Sequence, residues 1–179
     1  MRDNSEQQLV LSAIGRDRKG LITQLSTAIA ENGANILDSR MTILGDEFAI
    51  LILVSAAWNA LAKLEQHLPA LGQDLGLTII SKRTTTPTQH EPALPYHVEV
   101  IAVDQPGIVR DISGFFSEQG INIYDLNTVR YLAAHSGTPL FSISMTINVP
   151  AQLSLGELRE RFYILCDEQN LDGIIEPIK

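Results

Sequence analysis

Two short runs of this sequence carry the residue types that could hold a small charged molecule. Asp17, Lys19, Gly20 and Leu21 form an Asp-x-x-Gly turn, and Asn35 and Ile36 lie in a Gly-x-Asn-Ile run. Both runs recur 87 positions later, as Asp104, Gly107 and Ile108 and then as Asn122 and Ile123. A turn that opens a helix offers unpaired N–H groups and about half a positive charge, favourable to a carboxylate by roughly 0.3 to 1 kcal/mol when exposed. Gly20 and Gly107 would let that backbone approach closely. An asparagine supplies a carbonyl for an ammonium and an amide for a carboxylate. The combined chemistry suits a free amino acid. Asp17 and Asp104 are expected to cap the helix N-termini through their side chains. Each residue also has a purely structural reading in turn geometry, capping or a helix end, and duplication copies structural residues as readily as functional ones.

The elements that must position these residues are legible from periodicity. Residues 17–38 and 104–125 share Asp, Gly, Ser, Glu, Gly, Asn, Ile and Asp in register, so the chain is a tandem duplication. Gln8–Ile14 alternates as a strand, and Leu21, Leu25, Ala28 and Ile29 fall on one helical face, matched by Ile108, Ile112, Phe115 and Phe116. Gly33 and Gly120 are expected to end those helices at positive φ. Hairpins are expected from 35–44 with 48–54 and from 123–131 with 140–149, followed by helices over 57–74, interrupted near Pro69, and over 154–170. Closing strands at 77–83 and 174–178 complete β-α-β-β-α-β twice. This is an α+β chain of two ferredoxin-like domains, each a four-stranded antiparallel sheet with both helices on one face. The domains span 1–83 and 96–179, and the proline-flanked stretch 84–95 reads as the linker.

Composition bounds the function. A net charge of -8 and a pI near 4.9 argue against direct nucleic-acid binding. A single cysteine, Cys166, excludes an intrachain disulfide and suits a reducing compartment. No apolar run approaches a membrane span, and the N-terminus lacks a signal pattern, so the expected location is the cytoplasm. Domains this small gain stability by pairing, so a homo-oligomer is expected. His67, His90, His97 and His135 have no ligand-like spacing, and nothing calls for a metal or cofactor. Arg16 and Arg18 could cradle a phosphate in an acyl-phosphate hydrolase, but the second half has Val103 and Gln105 there. A catalytic function is not expected.

The two halves differ on their open sheet faces. Phe141, Ile143, Met145 and Ile147 alternate with Ser142, Ser144, Thr146 and Asn148, which gives a wet outer face. In the first half Ala49, Leu51 and Leu53 point outward with Val10 and Ile14, an apolar patch expected to be an interface. Its cover could be a second chain, the other domain, a regulated partner, or the linker and N-terminus.

The Asp-x-x-Gly turn, its helix and the Gly-x-Asn-Ile run together resemble the ACT domain, an amino-acid-binding regulatory module. Two modules filling nearly the whole chain, with WNALAKLEQHLPALGQDLGL as the first module's second helix, resemble more narrowly the glycine cleavage system transcriptional repressor family. That resemblance implies a protein without its own DNA contact that represses through a DNA-binding transcription factor, with glycine the most plausible ligand. Five non-hydrogen atoms bound glycine's affinity at about -7.5 kcal/mol, near micromolar. A regulatory subunit of an amino-acid biosynthetic enzyme is the alternative reading. Lys19 departs from the proline common at this position in such modules and present here as Pro106, which presets φ for the first helical turn.

Overall fold

The computed structural model describes residues 7–85 and 92–178. The chain divides into two compact units, Met1–Thr88 and Gln89–Lys179. The first contains β1 (Gln7–Arg16), α1 (Leu21–Glu31), β2 (Asn35–Leu44), β3 (Glu47–Ala56), α2 (Trp58–Leu75) and β4 (Leu77–Thr84). The second contains β5 (Ala93–Val103), α3 (Ile108–Glu118), β6 (Asn122–Leu132), β7 (Pro139–Pro150), α4 (Leu155–Gln169) and β8 (Asp172–Pro177). The sheets are antiparallel with strand orders β2-β3-β1-β4 and β6-β7-β5-β8. The duplicated ferredoxin-like architecture is therefore present in full.

Alternation decides which strand residues enter each core. Phe48, Ile50, Ile52 and Val54 of β3 are buried together with Leu9, Leu11 and Ala13 of β1. Leu21, Leu25 and Ile29 of α1 and Leu61, Leu64, Leu68 and Leu75 of α2 close over them. The second core uses the same positions with larger rings. Phe116 and Phe162 stack with centroids 5.7 Å apart, and Phe115 meets Phe116 edge-on at 5.2 Å. Such pairs are worth about 0.5–1.5 kcal/mol beyond the area they bury.

Three expectations need correction. The helix over 58–75 is continuous through Pro69 rather than interrupted there. Pro69 lies on the solvent face, where water can satisfy the Glu65 carbonyl it deprives of a donor, while the buried leucine stripe holds both halves to one sheet. The linker assigned to 84–95 has ordered ends: Thr84 belongs to β4, and Ala93, Leu94 and Pro95 belong to β5. Residues 86–91 of that stretch, including His90, lie outside the described residues. Pro95 is tolerated because its pairing with β8 has ended. Its carbonyl still accepts from the Ile178 N–H at 3.4 Å, but the missing N–H would point to the same side, past the last paired residue, Pro177. The third correction concerns helix capping.

Candidate functional site

Both turns are built by glycine, not by aspartate. Gly20 occupies the N-cap of α1 at φ 89°, and Gly107 that of α3 at φ 104°, a region that side chains with a Cβ avoid. Neither helix has a side-chain cap, so the capping role expected of Asp17 and Asp104 is not found. With the N-cap in the left-handed region, the chain leads away before an aspartate three residues upstream can reach the first helical N–H groups. Each aspartate instead fastens its strand end through the backbone. The Asp17 N–H donates to the Asp46 carbonyl at 2.9 Å, and the Asp104 N–H donates to the Pro139 carbonyl at 3.0 Å.

The side chains around the two turns then diverge. In the second unit the Asp104 carboxylate pairs with the Arg130 guanidinium of β6 at 2.5 Å. Arg110 pairs with Asp111 at 2.7 Å, and this bond holds the Asp111 carboxyl below its ordinary range. Asp111 sits in the first turn of α3, opposite in sign to the helix dipole there. In the first unit Ile43 stands where the second has Arg130, and Gln24 where the second has Asp111. The first turn of α1 contains no acidic residue. Arg18 reaches across the turn to the Gln24 side-chain carbonyl at 3.2 Å. The result is a cavity of about 260 Å³ lined by Asp17, Arg18, Gly20, Leu21, Met41 and Phe48 among others, with an uncompensated helix N-terminus on its wall.

Not every residue singled out from the sequence comes to this place. Asp17, Gly20 and Leu21 line the cavity, while Lys19 is exposed beside it. Leu21 and Ile108 send their side chains into the cores, so only their backbone N–H groups face the turns. Asn35 is opposite Ser55, at the far end of β3 from the Phe48 side of the cavity. Asn122 is opposite Asn148, equally far along β7 from Leu140, which pairs beside the second turn. About eight strand residues separate the two ends, roughly 26 Å. One module therefore cannot close its turn and its own asparagine on one amino acid, and Ile36 and Ile123 share that distant end. The helix explains the error: eleven residues of α1 or α3 carry the chain roughly 16 Å along the sheet before the next strand begins. Arg130 and Ile43 were missed, although the 87-position repeat extended into the second strand would have paired them.

The open faces follow the alternation. Val10 pairs with Leu53 and Ile14 with Ala49, and Ser12 lies between Leu51 and Ile80. Leu51 is 50% exposed and Ile80, not anticipated from the sequence, 64%. A shallow hollow of about 230 Å³ lies on this face among Gln8, Val10, Asp38, Arg40, Leu51 and Leu53. In the second unit Ser142, Ser144 and Thr146 take the corresponding positions on β7.

Burial, with help from Asp167 and Asp172, pushes the Cys166 thiol up to about 11, so it is neutral at physiological pH. Among the described residues no group of acidic, histidine or cysteine side chains could hold a metal, and no helix is long and apolar enough to cross a membrane.

Comparison with known proteins agrees with this architecture. The sequence model of the ACT domain matches residues 7–82. The glycine cleavage system transcriptional repressor of Escherichia coli K12 is 31% identical over 175 residues, covering 98% of this chain and 92% of that protein. A UPF0237 protein of Methanocaldococcus jannaschii is 38% identical over 91 residues, covering 50% of this chain and 93% of its own. A crystal structure assigned to a glycine cleavage system transcriptional repressor superposes with a TM-score of 0.73 at 29% identity, covering 97% of this chain and 98% of that one. A protein from Galdieria sulphuraria superposes with a TM-score of 0.79 at 27% identity, covering 98% and 100%. The relationship is to non-catalytic regulatory proteins. With two complete ACT modules and a match along nearly its whole length, the chain belongs to the glycine cleavage system transcriptional repressor family.

Proposed function

We propose that this protein is an amino-acid-responsive repressor of glycine cleavage genes that acts in the cytoplasm by binding a DNA-binding transcription factor rather than DNA. The observation that carries this reading is the near full-length match to the Escherichia coli repressor, in which both modules are retained. The net charge of -8 supports action through a protein partner, since phosphate contacts would need clustered cations.

Glycine, or another small amino acid, binds at the first module's turn. Its carboxylate meets the free N–H groups of α1, and its ammonium meets Asp17. The second module's turn, with Asp104 and Asp111 already paired, binds more weakly. Its own module's asparagine takes no part, because it lies at the other end of the sheet. The apolar face around Leu51 and Leu53 receives a protein partner. Repression responds to ligand by linkage: an amino acid with unequal affinity for free and partner-bound protein shifts the partner equilibrium by the same factor, typically about 5- to 150-fold.

The test is capture of partners on the immobilised chain with and without glycine, read by mass spectrometry, alongside calorimetry against the twenty amino acids. Glycine-dependent recovery of a transcription factor supports the proposal. Recovery of a metabolic enzyme instead favours a regulatory-subunit role, and no heat with any amino acid removes the sensor part.

A further inference from the structure

Exposed apolar side chains scattered singly need no explanation, but three of them gather at the first module's turn. Ile22, in the first turn of α1, is 50% exposed, and Met41 and Ile43, two positions apart on β2, are 45% and 48% exposed. Met41 pairs with Ile50 and Ile43 with Phe48, both buried, so these β2 side chains face the helix side of the sheet and not its open face. Ile22 and Met41 line the cavity beside Gly20, one from the helix and one from the strand, and the buried Leu21 and Phe48 line it too. Ile43 lines a neighbouring hollow that shares Asp17 with it.

The charges of this cavity are confined to one stretch of chain. Asp17, Arg18 and Gly20 all belong to the turn, and Arg18 is held there by the Gln24 side chain at 3.2 Å and the Leu75 carbonyl at 3.5 Å. Ligand pockets in general have this form, a mostly apolar lining with a few polar groups that fix orientation. The space is larger than glycine needs. At a liquid water's share of about 30 Å³ per non-hydrogen atom, glycine's five atoms fill roughly 150 Å³ and leucine's nine roughly 270 Å³, against a cavity of about 260 Å³.

The duplication isolates the apolar rim as a separate feature. Val109, Thr128 and Arg130 stand 87 positions after Ile22, Met41 and Ile43. Thr128 and Arg130 take the same helix-side places on β6, opposite Ile143 and Phe141, and Arg130 is engaged by Asp104. The second module forms its sheet in the corresponding strand order with this polar rim. The fold therefore does not require Ile22, Met41 and Ile43 to be large and apolar.

We propose that the first module's cavity takes amino acids with an aliphatic side chain, leucine above all, more tightly than it takes glycine, with the side chain lying against Ile22, Met41 and Phe48. This rests on the reading that the turn holds an amino acid by its carboxylate and ammonium. Glycine leaves the apolar walls wet, whereas an aliphatic side chain is removed from water together with the walls it covers. Leucine and glycine compete for one place, so the protein responds to their ratio and not to glycine alone. The second module, with Thr128 and Arg130 at its rim, has no such preference.

Calorimetry on the full chain with glycine, alanine, valine and leucine tests this. Affinity is expected to rise along that series, with leucine about tenfold or more tighter than glycine and one leucine bound per chain. Glycine titrated against the leucine-saturated chain is expected to lose at least about tenfold in apparent affinity. Met41→Thr installs the second module's residue at an exposed strand position and is expected to cut the preference for leucine over glycine about threefold or more. Met41→Leu, which conserves the apolar wall, is expected to keep it. Leucine binding no tighter than glycine, with glycine still bound, overturns the proposal and leaves the glycine reading standing. Independent binding of the two, or a preference indifferent to Met41→Thr, places leucine elsewhere and also overturns it. Silence from every amino acid removes the turn as a site, and this inference with it.

Discussion

The two turns share a backbone and differ in how their charges are spent. Gly20 and Gly107 open their helices alike, but Asp104 and Asp111 each have an arginine partner, whereas Asp17 faces Ile43 and α1 begins without an acid. Duplication preserved the scaffold, and divergence settled at the side chains that compensate it. The charges of the second turn are neutralised within it, while the first keeps an uncompensated helix N-terminus near Asp17. The cores diverge too: α1 and α2 bury only aliphatic side chains in the first, whereas α3 and α4 bring Phe116 and Phe162 to the second.

The largest expected break in this comparison is Phe162→Ala, which removes a ring stacked on Phe116 and should cost the second module about 3–5 kcal/mol. The chain has one tryptophan, Trp58, and one cysteine, Cys166, so each module carries its own reporter. Cys166 should become reactive to thiol reagents in the variant, while Trp58 emission reports an unchanged first module. Gly173→Ala should act on the same core by overpacking. A Cβ there would come within 2.6 Å of Cys166 Sγ and 2.9 Å of the Phe162 ring, an expected loss of about 1–3 kcal/mol in thermal unfolding.

Smaller effects sharpen the contrast. The first module ties α2 to β4 through the two-pronged Arg83–Glu65 pair, while the second ties α4 to β8 through Arg159 and the neutral Ile175 carbonyl. The hydrogen bond from Arg83 lowers the Glu65 carboxyl pKa. Its stabilisation is therefore fully present above the ordinary glutamate value and is lost as pH falls through the lowered one. Glu65→Gln should cost the first module at most about 1 kcal/mol near neutral pH, with native and variant midpoints converging in acid. The second module should show no such convergence on loss of Arg159. Arg130→Ile, which copies the first module, should cost the second about 0.2–1 kcal/mol in denaturant titration. Gln24→Asp copies Asp111 into α1. It should add about 0.3–1 kcal/mol to the first module and weaken glycine there about two- to fivefold by calorimetry. Unchanged affinity in that variant would remove the helix N-terminus from the binding account.

Much of this was legible in the sequence because it follows from local periodicity. The 87-position repeat gave both modules, alternation along residues 48–54 gave the inward and outward faces of β3, and Gly33 and Gly120 end their helices at φ 74° and 69° as expected. The capping role of Asp17 failed because a side chain's reach depends on the φ of an intervening glycine, which sequence spacing does not reveal. Pro69 misled because its cost depends on which face it occupies, and the leucine stripe turns it to solvent.

The chain's own order of residues determined two ferredoxin-like ACT modules, their cores, and the contrast between a wet and an apolar open face, since each depends on periods of two or 3.6 residues. Only the tertiary structure decided what meets what. It sent Asn35 and Asn122 roughly 26 Å from the turns they had been grouped with, and brought Arg130 to Asp104. Proximity across a sheet is set by strand direction and register, and these are fixed only when the strands pair.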